Sequence, residues 1–165
     1  MWDSIFAIAN WWAFLGWLAL LVLPRAPAVL SAVFYLGAGL LSLAYAVILA
    51  LLLGGLVDPG GTEAAGASFN TIEGVRALFA TDAGVTVGWI HYLAFDLFVG
   101  LWIAKDADQK DISRLVQAPV LLLTLFAGPA GLLVWMAIRE KRARYWGRSG
   151  GRSGGRAGAG TAGRT

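Results

Sequence analysis

Lys and Arg are missing from four long apolar stretches of the chain, roughly 5–23, 29–56, 85–104 and 116–138, and cluster between and after them. A helix needs about 20 mostly apolar residues to cross the hydrocarbon of a bilayer, and each stretch is of that order. The pattern predicts an all-α membrane protein whose residues 1–138 form a four-transmembrane-helix bundle. Pro24-Arg25-Ala26-Pro27 leaves only a short turn between the first two runs, so those helices should be antiparallel neighbours. The second run is long for a single crossing and should tilt or protrude.

The only sizeable connection is 57–84. Its "VDPGGTEAAGAS" is rich in turn formers. In "FNTIEGVRALFA", Asn70 and Glu73 have capping-box spacing, and Phe69, Ile72, Val75 and Phe79 fall near one face. A short amphipathic helix follows from this, either lying in the membrane interface and leading into the third span or packed on protein as an ordinary loop helix. After the fourth run comes a tail over 139–165, "REKRARYWGRSGGRSGGRAGAGTAGRT". Its Gly/Arg/Ser repeat has no apolar residue to bury and is expected to be disordered. Arg-Gly repeats occur in RNA binders. Directly after a span and a basic cluster, attraction to anionic lipid headgroups is the simpler account, and nucleic acid is not the expected partner.

Composition supports the membrane assignment. Hydrophobic residues make up 58% of the 165 positions, mean hydropathy is +0.69, and only 14% are charged, against roughly a quarter in soluble domains. Of the thirteen Lys and Arg, eight lie at or after Arg139, so the net charge of +3 belongs to the tail. Four crossings would put both ends on one side. Arg76 and the eight tail charges would then oppose Arg25, Lys105, Lys110 and Arg114, which favours both termini in the cytoplasm. A bacterial inner (cytoplasmic) membrane is the expected location. No transit peptide is expected before the first run. Ala26-Pro27-Ala28 resembles a signal-peptide cleavage site, but Asp3 and the lack of Lys or Arg before Arg25 argue against one. With no Cys and one His, disulfides, iron–sulfur clusters and zinc–thiolate sites are excluded, and a His-cluster metal site is not expected. No nucleotide, flavin or metal motif appears, so no cofactor is expected.

Burial alone cannot assemble helices in lipid; close backbone contact and polar groups do more. Ala38, Ser42, Ala46, Ala50 and Gly54 recur every fourth residue and predict a packing groove on the second span. Pro129, flanked by Gly128 and Gly131, should kink the fourth. Several of the eight Trp lie near span ends, where they anchor at the interface. Trp11, Trp12 and Trp17 sit deeper, as packing groups or as an aromatic wall for a long apolar ligand. Association of copies through such surfaces is compatible with the pattern.

The third run breaks its own rule. "WIHYLAFDLFVGLWI" carries the only histidine, His91, and a central aspartate, Asp96. An ionised Asp at mid-bilayer costs on the order of 2.5–3.5 kcal/mol, so Asp96 must face protein or water. Five helical steps turn about 140°, so the two do not stack. Asp96 shares its face with Tyr92 and Gly100, and His91 with Phe95, Phe98 and Trp102. No span supplies a cation to Asp96, so it should be largely neutral and able to donate a proton. Tyr92, Asn10, Ser42 and Tyr45 are candidate partners. Two readings stand: a functional pair, or polar groups that tie helices together.

"GWIHYLAFDLFVGLWIAKDA", the preceding "GVRALF" and "PVLLLTLFAGPAGLLVW" resemble the abscisic-acid-deficient-four-like family. The matched pattern is Trp89, His91, Asp96, Leu97 and Phe98, then Gly128, Pro129 and Gly131. In plants that family is associated with making neoxanthin from violaxanthin. The resemblance therefore implies a carotenoid or other long apolar ligand and an isomerase-type enzyme or its auxiliary, with Trp89, Phe98, Gly128, Pro129 and Gly131 packing or lining a groove. Opening an epoxide to an allene needs an acid at the oxygen and a base for a carbon-bound proton. Asp96 as acid, His91 as base and Tyr92 assisting would fit. The alternative is a non-catalytic protein that binds or organises pigment or lipid. A proton-coupled carrier using Asp96 is a weaker third reading.

Overall fold

The computed structural model describes residues 1–23, 25–61 and 66–153, with side chains as far as Glu140. Among the described residues every regular element is helical. Three helical segments are long and apolar enough to cross a membrane: Trp2–Val22 (α1), Pro27–Leu53, and Asp82–Gln109. The second is α2 (Pro27–Ala32), a π-helical stretch (Val33–Gly39) and α3 (Leu40–Leu53) in continuous succession. Pro27 opens it where a missing N–H costs nothing.

The small helix α4 (Ile72–Leu78) forms as expected, but its cap is Thr71, not Asn70. The Thr71 hydroxyl accepts from the Gly74 amide at 3.0 Å. Phe69, Ile72 and Phe79 on and beside it are exposed, the pattern of a helix laid against an apolar interface.

The next helix, α5 (Asp82–Gln109), is the hub of the fold, with α1, the π-helical stretch, α3, α6 and α7 all packing on it. Thr81 caps it, accepting from the Gly84 amide at 3.0 Å. Most of its circumference is buried: Ile90, Leu97, Leu101, Ile103, Ala104 and Ala107 are each at most 3% exposed, while His91, Phe95 and Phe98 form an open face. Glycines let neighbours approach. Gly16 and Gly37 pack on the Leu97 side chain, and Gly100 receives the Trp17 ring. Thr81→Ala should cost about 1 kcal/mol, the usual loss for a hydroxyl cap. Denaturation of the detergent-solubilised chain should show that loss, and Thr81→Ser should show little.

The expected groove of small residues does not form. Ala38 is buried, but Ser42, Ala46 and Ala50 are exposed. Each four-residue step overshoots a helical turn by about 40°, so the row drifts off the packed face. The Ser42 hydroxyl bonds the Ala38 carbonyl of its own helix at 2.8 Å.

The largest departure is the fourth run. It is not one kinked helix but two, α6 (Arg114–Phe126) and α7 (Gly128–Ser153), broken at Ala127 with φ −152° and ψ 73°. Pro129 falls in the first turn of α7, where it is tolerated. The chain reverses there. Tyr92 of α5 reaches Phe126 at the end of α6, while Trp135 and Arg139 of α7 reach Asp106, far down α5. Thus α6 runs antiparallel to α5 and α7 runs back beside it. A Cβ on Gly131 would lie 2.6 Å from the Thr124 backbone, which shows how closely the arms meet. The α7 backbone continues as helix through 139–153, where the tail was expected to be disordered; 154–165 lie outside the described residues.

Candidate functional site

Asp96 stands at the midpoint of α5 and is 7% exposed. Opposite it is the hairpin tip. A broken helix leaves carbonyls unpaired at one end and amides at the other, and α5 serves both. The Tyr92 hydroxyl donates to the Phe126 carbonyl at 3.0 Å. The Asp96 carboxyl takes up the Gly128 amide at the start of α7, where the helix dipole favours an acceptor. The Tyr92 hydroxyl also lies within interacting range of that carboxyl, one turn away. A Cβ on Gly128 would overlap the carboxyl, so any larger residue there would push Asp96 aside. One oxygen, Asp96 Oδ2, is buried with no hydrogen-bond partner. Buried acceptors are nearly always paired, so this atom marks the site.

The other expected partners of Asp96 are engaged elsewhere. The Asn10 carbonyl accepts from Trp89 Nε1 at 2.9 Å and its amide donates to Phe6. The Trp89 ring stacks on Phe6 (5.8 Å) and on Tyr92 (5.3 Å), so Phe6, Trp89 and Tyr92 form a row of rings that ends beside the carboxyl. His91 does not join it. Its ring is exposed, stacked on Phe95 at 4.6 Å and tilted against Tyr45 at 5.4 Å, on another face of α5. Phe98 is also exposed, 6.2 Å from Phe34. Pro129 is exposed, and Gly131 is buried against Thr124. The structure therefore brings together Asp96, Tyr92, Trp89 and Gly128, and leaves His91 and Phe98 apart.

The site is closed on one side only. Toward the Arg25 end, fully buried Thr124, Gln117 and Trp135 fill the interior. Toward the Trp2 end, Tyr92 is half-buried and Trp89 is exposed. Of the deeper tryptophans, Trp17 is buried, Trp11 points outward at 68% exposure, and Trp12 bonds the Leu36 carbonyl at 2.6 Å. Two shallow apolar grooves flank Trp12, one against Leu36 and Gly37 and one against Leu41 and Ile90.

A second polar cluster went unseen in the sequence. Asp106, 7% exposed, accepts from Trp135 Nε1 and pairs with Arg139, both at 3.1 Å, and also pairs with Lys110. The Arg25 side chain donates to Ala104 O at 3.1 Å, to Asp108 at 2.7 Å and to Gln117. Burial pulls the Arg25 guanidinium below its ordinary range, and the Asp108 carboxylate pushes back. The cluster clamps the α1–α2 turn, the end of α5 and both hairpin arms. The spacing of Asp106 and Lys110 on one helix face is the available signal, although both lie beyond the apolar run of 85–104. Among the described residues no group of His, Asp and Glu is arranged to hold a metal ion.

A protein-family model described as ABA DEFICIENT 4-like matches residues 4–135. No curated protein and no solved structure matches the chain.

Proposed function

The chain belongs to the ABA DEFICIENT 4-like family, and on that footing we propose that it is a membrane enzyme modifying a carotenoid or related isoprenoid, or an auxiliary to one, with Asp96 as its acid. The observation that carries this reading is the buried, unpartnered Oδ2 of Asp96 beside the Tyr92 hydroxyl. Satisfying the hairpin tip occupies one carboxyl oxygen and leaves the other spare. A purely structural cap has no need of the second in a dry interior.

The proposed step is an isomerisation that neither adds nor removes atoms. Asp96 gives its proton to an epoxide oxygen as a C–O bond breaks. The carboxylate then takes a proton from the neighbouring chain carbon, and that C–H electron pair becomes the new double bond. The acid is regenerated and no oxidant or reductant is consumed. Tyr92 steadies the carboxyl through both transfers. The base role expected of His91 fits poorly, because its ring lies on a different face of α5. His91→Ala should therefore retain most conversion. The rod-shaped end of the ligand would approach along Trp89 and Phe6.

A bacterial inner membrane remains the proposed location. The test of the reading is the carotenoid and polar-lipid profile of a deletion strain against its parent, by chromatography with mass detection. A precursor that accumulates and clears on complementation supports catalysis. Identical profiles would end the enzymatic reading. The second reading, a pigment- or lipid-binding protein, draws on the grooves beside Trp12. It would gain if pigment identity were unchanged while pigment co-purified with the chain.

A further inference from the structure

We propose that α6 and α7 form a re-entrant hairpin, so that the chain crosses the membrane three times and its ends lie on opposite sides. The first arm of the hairpin is too short to cross. α6 has 13 residues, about 20 Å at 1.5 Å per residue, short of the roughly 30 Å of hydrocarbon. Its tip meets Asp96, at the centre of the longest apolar crossing. From there α7 returns: Trp135 and Arg139 reach Asp106, near the same end of α5 from which α6 departed. Gly128 to Arg139 spans about 16 Å of helix, half a bilayer, and Arg139 is the first charge after the tip.

The backbone at the tip is also provided for. Non-helical backbone is tolerated at membrane depth only where protein supplies its hydrogen bonds. Here Tyr92 serves Phe126, Asp96 serves Gly128, and the Ala127 amide bonds the Leu123 carbonyl at 2.8 Å.

Charge favours the same topology. With four crossings the Lys and Arg split awkwardly between faces. With three, Arg25, Lys105, Lys110, Arg114 and every Lys and Arg of 139–153 share one face, and among the described residues Arg76 alone is on the other. The positive-inside bias then assigns the Arg25 face to the cytoplasm and the N-terminus to the opposite side, which replaces the expectation of two cytoplasmic ends. The topology holds whatever chemistry Asp96 performs.

The chain has no Cys, so single cysteines report without background. Asn70→Cys, Ser113→Cys and Ser149→Cys are each produced in the full chain and treated in intact cells with a membrane-impermeant maleimide. Permeabilised cells give the full-labelling reference. The expected result is that Asn70→Cys labels in intact cells while Ser113→Cys and Ser149→Cys are both protected. Ser149→Cys behaving like Asn70→Cys, opposite to Ser113→Cys, would restore four crossings and overturn the hairpin. Ser113→Cys and Ser149→Cys labelling together with Asn70→Cys protected would keep the hairpin and overturn the orientation.

Discussion

Asp96→Asn should abolish pigment conversion while leaving the protein folded, a loss of at least about 100-fold, the lower range of a general acid's contribution. The amide matches the carboxyl in shape. Its carbonyl can still accept from the Gly128 amide, so the hairpin tip keeps its cap. What disappears is the transferable proton on the atom that has no structural partner. Asp96→Ala should do more, because it also removes the cap and leaves the tip amide unpaired in a dry interior. The pair thus separates two roles that one residue performs. Conversion is measured in cells carrying each variant, with expression and thermal stability in detergent as the folding control. Full conversion by a stable Asp96→Asn protein would reduce Asp96 to a tie between helices. Its loss of conversion, with His91→Ala retained, would place the acid and base on one carboxyl.

The first three helical runs were legible because each is a long, mainly apolar stretch, and hydropathy reports such stretches well. The ends were less so: α5 extends to Gln109 because Asp106 and Asp108 find Lys110, Arg139 and Arg25, and a one-dimensional reading takes such residues for loop. The fourth run illustrates a limit of hydropathy itself. An apolar stretch of 116–138 has the same composition whether it spans once or enters and turns back. Gly128-Pro129 announces a disturbance, but whether it becomes a kink or a reversal depends on a carboxyl and a phenol more than thirty residues earlier. The site was half legible. Helical geometry alone put Asp96 with Tyr92 and apart from His91. The partner of the carboxyl was not legible, because it is a backbone amide that exists only once the helix breaks. Asn10 was a fair candidate for Asp96 by depth, yet it serves Trp89.

Gly131→Leu should be the most damaging single change in the hairpin, costing about 3 kcal/mol, the upper end of the usual overpacking penalty. Even a Cβ there would sit 2.6 Å from Thr124 N and Cα. Backbone cannot rotate aside as a side chain can, so the arms must part. Thr124 is itself buried, its hydroxyl bonded to the Val120 carbonyl at 2.8 Å, which leaves α6 little freedom to yield. Parting the arms moves α7 off α5. Trp135, fully buried with its N–H on Asp106, would then be drawn out of the core, and Arg139 would lose the same carboxylate. The effect should therefore appear in two places from one substitution: a lower unfolding midpoint in detergent, and a shift in tryptophan emission as Trp135 meets lipid or water. Ala130→Leu, one position earlier on the exposed face of α7, adds the same side chain without meeting α6 and should leave both readouts unchanged. If the two variants behaved alike, the close contact of α6 and α7 would be wrong, and with it the turn that brings Gly128 to Asp96.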